Sequence, residues 1–277
     1  NNTTVTRQLN LVRGTGTIDV RMTGAIGENA GALTGLSVSG NGIAGLTANN
    51  TFTGNLIINN TATIIGNNLA NAGTASSIGQ GSHGITLNGG TFRYAPVVST
   101  GATGATVNRN FFIAASGTLD ASGTGALVLN QTGPISADVV DVPFTATGAN
   151  ATMTLAAANP NLTIGMRVTG PGVPANTTIT GIATNALTLS ANITSTSGMA
   201  TFGFPTARTL TLTGTNTDAN TIAGVLQNST ATGSGQLSLA KTGAGRWVLT
   251  GNNTFTGAVT VTGGTLTMAG SGAVNGS

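Results

Sequence analysis

Cysteine does not occur in this chain of 277 residues. Disulfides, thiolate metal sites and a cysteine nucleophile are therefore excluded, and the lack suits export of an unfolded chain through a narrow pore. Charge is nearly as scarce, with nine Lys and Arg against six Asp and Glu, together 5% of the chain. So few charges describe neither a disordered charged tail nor an ordinary enzyme. The basic residues (Arg7, Arg13, Arg21, Arg93, Arg109, Arg167, Arg208, Lys241 and Arg246) are scattered. The pI near 10.7 thus reflects a shortage of acids, and no nucleic-acid partner is expected. Aromatic residues make up 4%, with one Trp and one Tyr. No apolar run approaches the roughly 20 residues that cross a bilayer, and no window sustains a helical apolar period. The opening residues, NNTTVTRQLN, lack the basic and apolar regions of a signal peptide. The chain is accordingly expected to be a processed form or a stretch of a longer protein.

What remains is Gly, at 43 residues, with Thr and Asn. Thr is β-branched and suits strands, while Gly and Asn tolerate the left-handed positions of turns, so the mixture predicts many short strands joined by tight corners. The sequence also repeats itself. LTANNTFTGNLIINNTATI (46–64) aligns with LTGNNTFTGAVTVTGGTLT (249–267) at a constant offset, which matches Phe52 with Phe255 and Gly54 with Gly257. Upstream, TRQLNLVRGTGT (6–17) resembles ARTLTLTGTNTD (207–218). A smaller theme, a glycine corner followed by Thr and an apolar residue, recurs in LNGGTFRY (87–94), ASGTLDAS (115–122) and TGGTLTM (262–268). A corner followed by an inward apolar residue every ~20 to 25 residues is what a coiling solenoid needs. Its turns would stack so that Leu, Ile, Val and Phe line one core while Thr and Asn form ladders. The expected core comprises Leu56, Ile58, Ile85, Leu87, Phe92, Ile113, Leu119, Leu127, Leu129, Leu210, Leu237, Leu249, Phe255, Val261 and Leu266.

The stretch KTGAGRWVLTGNNTFTGAVTVTGGTLTM (241–268) resembles the autotransporter-associated β-strand repeat, or passenger-associated transport repeat. The residues that carry the resemblance are Lys241, Thr242, Gly243, Gly245, Leu249, Gly251, Asn253, Phe255, Thr256, Gly257, Gly263, Gly264, Thr265 and Leu266, with Trp247 among them. In the first copy the likeness rests on NNTFTG alone, because Ile43, Ala44 and Gly45 stand where the Gly-Arg-Trp portion would fall. The resemblance implies a right-handed parallel β-helix in a large secreted or surface-exposed bacterial protein, usually ending in an outer-membrane β-barrel. It also implies fibres or adhesin-like stalks, with the repeat assisting export.

The texture changes between Val139 and Pro205, where five of the seven prolines fall. Through LTIGMRVTGPGVPANTTITGIATNALTLS (162–190), alternation at Ile164, Met166 and Val168 breaks at GPGVP and resumes at Ile179, Ile182, Leu187 and Leu189. This predicts antiparallel strands with hairpin turns. The stretch Gly165 to Pro174 resembles small β-modules of phage tail and bacterial surface proteins. The expected organisation is a β-solenoid over 1–138, an inserted antiparallel β-module over 139–205, and the start of a second solenoid unit over 206–277.

Catalytic, cofactor and metal residues are not expected. Asp138 and Asp141 are the acids closest together, His83 is the sole histidine, and no G-x-S-x-G elbow occurs. GQGSHG (79–84) fits a dinucleotide fingerprint but precedes a strand, where that chemistry needs a helix. Arg246 and Trp247 are either an exposed sugar-stacking pair or, the preferred reading, an inward Trp beside an outward Arg. The functional expectation is a structural segment of a secreted or cell-surface fibre. It would work in series with itself through its end turns, around Leu9 and Leu11 at one end and Leu266 and Met268 at the other. A surface glycan or a host or neighbour-cell ligand is a further candidate partner, and membrane contact is expected only through a barrel outside this segment. The alternatives are a polysaccharide-processing β-helix enzyme and a phage tail fibre or spike.

Overall fold

The computed structural model describes residues 4–28, 33–82, 84–97, 101–133, 135, 139–159, 162, 164–204, 206–229 and 235–270. Among these every regular element is a strand. Three sheets are parallel and one is antiparallel. This is the all-β arrangement expected of a β-helix with an antiparallel module.

The first parallel sheet stacks Thr4–Leu11, Leu33–Gly40, Leu56–Asn59, Ile85–Asn88 and Phe111–Ile113 in that order. The second has eight strands: Val20–Met22, Ile43–Leu46, Thr63–Gly66, Thr91–Tyr94, Gly117–Ala121, Arg208–Thr213, Leu237–Lys241 and Val259–Val261. The third stacks Ala105–Val107, Leu127–Leu129, Asn220–Ile222, Arg246–Leu249 and Thr265–Met268. The chain alternates between the first and second sheets as far as Tyr94, passes through all three between Ala105 and Leu129, and from Arg208 on alternates between the second and third, returning to a given sheet after a short circuit: Val20 pairs with Ala44, and Leu56 with Ile85. Residues alternate in and out along each strand, as the twofold strand period requires. In RTLTLT (208–213), Arg208, Leu210 and Leu212 are buried while the threonines are half-exposed.

The inward residues merge into one apolar cluster that runs from Leu11 through Phe52, Phe92, Phe111 and Leu210 to Trp247 and Phe255. Of the expected core, Val261 departs clearly, being 51% exposed, and Leu266 is half-buried. Both stand on strands at the edge of their sheets, with no further described strand over them. An Asn ladder also forms: Asn59 and Asn88 pair in register, and Asn88 Nδ2 donates to Asn59 Oδ1 at 2.9 Å.

The antiparallel sheet is drawn wholly from Val139–Gly203, in the order Arg167–Thr169, Ser197–Gly203, Val139–Thr145, Asn150–Leu155, Ala186–Ile193 and Ile179–Ala183. It has its own apolar cluster, with Met153, Met166, Ile179 and Phe202 at its centre. Ile164 departs from the expected alternation at 62% exposure, because it sits in a turn ahead of the strand. The parallel sheets close up on either side of this module. Gly117 pairs with Leu210 and Val128 with Thr221, although each pair is 93 residues apart in sequence.

Candidate functional site

The stretch that carries the sequence motif forms a dense set of contacts between successive turns. Lys241 ends a second-sheet strand whose Leu237 and Leu239 point inward, and the same alternation turns the lysine inward too. Its side chain is fully buried, and Nζ donates to the carbonyl oxygens of Thr242, Gly243 and Gly263, the last two at 2.9 Å. Gly263 belongs to the corner one circuit later, so the ammonium ties two corners together. Burial lowers the Lys241 pKa from its ordinary value. The partial negative charges of three carbonyls supply the solvation that water would otherwise give.

Trp247 reaches the other way. It is fully buried, and its Nε1 donates to Thr213 O, in the preceding circuit, at 2.9 Å, while Arg246 is exposed. The inward reading of Trp247 therefore holds, and no indole face is open for sugar stacking. Leu249 is buried and pairs with Ile222 on one side and Met268 on the other. Asn253, 2% exposed, accepts the Leu226 backbone N–H on its Oδ1 at 2.9 Å, and Phe255 lies beside it in the core.

The glycines of the motif let one backbone lie against the next. A Cβ on Gly257 would come within 2.3 Å of Leu237 O, and one on Gly264, where φ is +66°, within 2.2 Å of Gly245 O. Gly243, Gly245, Gly251 and Gly263 face the backbone of a neighbouring circuit in the same manner.

Both copies of NNTFTG do one job in two places. Asn50 Oδ1 accepts Ile26 N–H at 2.8 Å, as Asn253 accepts Leu226, and Phe52 and Phe255 are both buried. The first copy links a second-sheet strand, Ile43–Leu46, to a first-sheet strand, Leu56–Asn59. The second links a third-sheet strand, Arg246–Leu249, to a second-sheet strand, Val259–Val261. The motif thus specifies the strandless side of a circuit, and the two copies occupy different sides.

Two other buried cations escaped the sequence reading. Arg109 is 1% exposed, its Nη1 donates toward Ile78 O and Gly79 O at 3.3 and 3.5 Å, and desolvation lowers its pKa to about 10. Arg208 is 2% exposed and donates to Phe204 O, Thr206 O and Gly235 O, with the Phe204 ring 5.7 Å from its guanidinium carbon. Like Lys241, each is met by backbone carbonyls. The one available signal was the shortage of acids, six against nine Lys and Arg, which are too few to pair with every cation.

Of the residues considered for chemistry, His83 and Asp138 lie outside the described residues, as does the side chain of Asp141. GQGSHG leads into the strand Ile85–Asn88, as expected, with no helix behind it. The other carboxylates are engaged. Asp19 binds Arg13 and the Gly14 and Ile43 N–H groups, Glu28 binds Thr34 and Thr53, Asp120 binds Arg93 and Ser122, and Asp218 is 3.4 Å from Asn216 Nδ2. Among the described residues no three His, Cys, Asp or Glu gather as a metal site would need. At the chain ends, Leu11 is buried, and Leu9, Leu266 and Met268 are half-buried against the main core.

These polar groups brace one circuit against the next, and the class they define is a repeat-built all-β protein. Residues 239–268 match the family model described as Passenger-associated-transport-repeat, so the chain carries a repeat of that family. No curated protein sequence and no solved structure matches the chain.

Proposed function

We propose that the chain is a length-giving section of a secreted or cell-surface fibre, built as a right-handed parallel β-solenoid that displays an antiparallel module on its side. The right hand is what a strand, a crossover and a further parallel strand adopt almost without exception. The observation that carries the reading is the matched repeat itself, whose Lys241, Trp247 and Asn253 bond the circuits before and after it. Such residues serve stacking, which a solenoid extends indefinitely.

The partner in this reading is more of the same fold, either as further circuits of one longer chain or as a second copy set end to end. A final circuit with unpaired strand edges over an apolar interior favours another strand stacking on it. Half-buried Leu266 and Met268 and exposed Val261 give the last described circuit that character. Low charge leaves little repulsion against association.

The test is electron microscopy with sedimentation at several concentrations. End-to-end association along the solenoid axis is expected, reduced by Val261→Lys with Met268→Lys. Particles that stay single at high concentration overturn the serial part of the reading. Surface display is checked separately, by antibody labelling of intact cells before and after external protease.

A further inference from the structure

The antiparallel module carries a cleft of about 390 Å³ folded from one stretch, RVTGPGVPAN, Arg167 to Asn176. Its walls are set by backbone hydrogen bonds. Val168 N–H donates to Thr177 O at 2.8 Å, Val173 N–H to Gly170 O at 3.2 Å, and Thr194 N–H to Gly172 O at 2.9 Å. Gly172 and Asn176 take φ of +65° and +64°, a conformation those two residue types accept most readily, and Pro171 and Pro174 stiffen the same loop. A ligand entering such a cleft orders little that is not already ordered.

Among the described residues, Arg167 is the one charged residue lining the cleft. The ion pairs among the described residues are Arg13–Asp19 and Arg93–Asp120, so Arg167 has no carboxylate partner there. Its Nη2 donates to Asn176 Oδ1, while its Nε is covered and meets no acceptor. Only Asn55 Oδ1 shares that condition among the described residues. Folded proteins rarely leave a buried N–H unmatched, so this one, beside a cleft, is a donor that a ligand oxygen would satisfy once its cover turns aside.

We propose that this cleft binds an acidic sugar, a uronic-acid unit of a polysaccharide, through its carboxylate. Nε–H and Nη2–H form one edge of the guanidinium, whose spacing matches the two oxygens of a carboxylate. At present a neutral amide oxygen, that of Asn176, holds half of this edge. A charged carboxylate makes the stronger bond, and the Asn176 side chain is exposed and free to turn outward. The rest of the lining suits a sugar ring. Val173 and Pro174 offer apolar surface to the ring C–H groups, and the volume lies at the low end of small-molecule sites, roughly 300 to 1,000 Å³. One ring fills it.

The experiment is a titration of the whole ¹⁵N-labelled chain with D-galacturonate, D-galactose and propionate, following the Arg Nε–H resonances at low salt. Galacturonate is expected to move the Arg167 Nε–H signal saturably, propionate to do so more weakly, and galactose to leave it in place. Arg167→Lys keeps the charge but loses the fork, and should bind galacturonate about tenfold more weakly. Asn176→Gly keeps the positive φ and removes the competing amide, and should bind several-fold more tightly, about what losing one competing hydrogen bond implies. Circular dichroism melts of both variants confirm that each is folded. Equal response to galactose and galacturonate, unchanged binding in Arg167→Lys, or weakening in Asn176→Gly overturns the site. Propionate binding as well as galacturonate overturns its assignment to a sugar.

Discussion

Lys241 shows how a single residue is read differently by sequence and by structure. In the sequence it is the one lysine of a chain poor in charge, at the head of a glycine-rich motif. In the fold, strand alternation sends it inward beside Leu237 and Leu239, and the close corners of two circuits offer it three carbonyl oxygens. Replacing it with Met keeps most of the volume and removes the donor, which leaves three part-buried carbonyls without it. Lys241→Met is therefore expected to lower stability by about 1 to 3 kcal/mol, read as a shift of the urea midpoint at constant slope. Arg246→Met, one strand on and exposed, is the control and should move the midpoint little, within about 0.5 kcal/mol. Equal shifts in the two variants would show that the ammonium's contacts contribute nothing particular.

At the scale of the element, the repeated unit is the corner segment NNTFTG with the strands on either side of it. Its Asn supplies an acceptor for an N–H of the preceding circuit that lies outside any strand ladder, Ile26 in one copy and Leu226 in the other. Its Phe fills the core on the side where the circuit has no strand. The two copies nevertheless join different pairs of sheets, so the role is local and is independent of which side of the coil the segment occupies. Asn50→Ala and Asn253→Ala should consequently cost similar amounts, about 1 to 3 kcal/mol each, since Asn253→Ala strands the buried Leu226 N–H and Asn50→Ala strands the part-buried Ile26 N–H together with the buried Ser77 O, to which Asn50 Nδ2 donates. Thermal melts of the two single variants measure this. A loss confined to Asn253→Ala would mean that only the stretch matching the family repeat uses the asparagine in this way. The alignment of the copies was legible in the sequence; their displacement to different sides was not, because circuit lengths vary and no residue records the accumulated rotation.

For the whole molecule, the decisive feature is that strands 93 residues apart pair as neighbours across the antiparallel module. The module's strands pair only with one another, and its apolar residues form their own cluster. Removing residues 140–204 and joining the ends with a short Gly-Ser link is expected to leave the parallel sheets folded. The entropy of closing a loop changes only slowly with its length, and no strand pairing of the three parallel sheets is lost. A cooperative β-sheet melt by circular dichroism checks this, and loss of that melt would show the module to be integral to the stack. Phe204 and Ala114 touch the module's core from its borders, so a modest fall in the melting temperature is expected even if the stack survives.

The sequence by itself determined the all-β character, the repeated corner and the change of texture at Val139. These follow from short-range physics: the side-chain period of a strand, the steric freedom of Gly and Asn, and the fixed φ of Pro. It also determined that Trp247 faces opposite to Arg246, since neighbours on a strand must point to opposite sides. Only the tertiary structure decided that Lys241, Arg109 and Arg208 lie inside with carbonyl partners, because for each at least one of those oxygens, Gly263 O, Ile78 O or Gly235 O, lies 22 to 31 residues away in sequence and arrives only when backbones stack at strand spacing. The same holds for Arg167. The sequence places it three residues before the glycine that opens a glycine-proline loop, but its unmatched Nε and the cleft beside it exist only once that loop has folded back along its own strand.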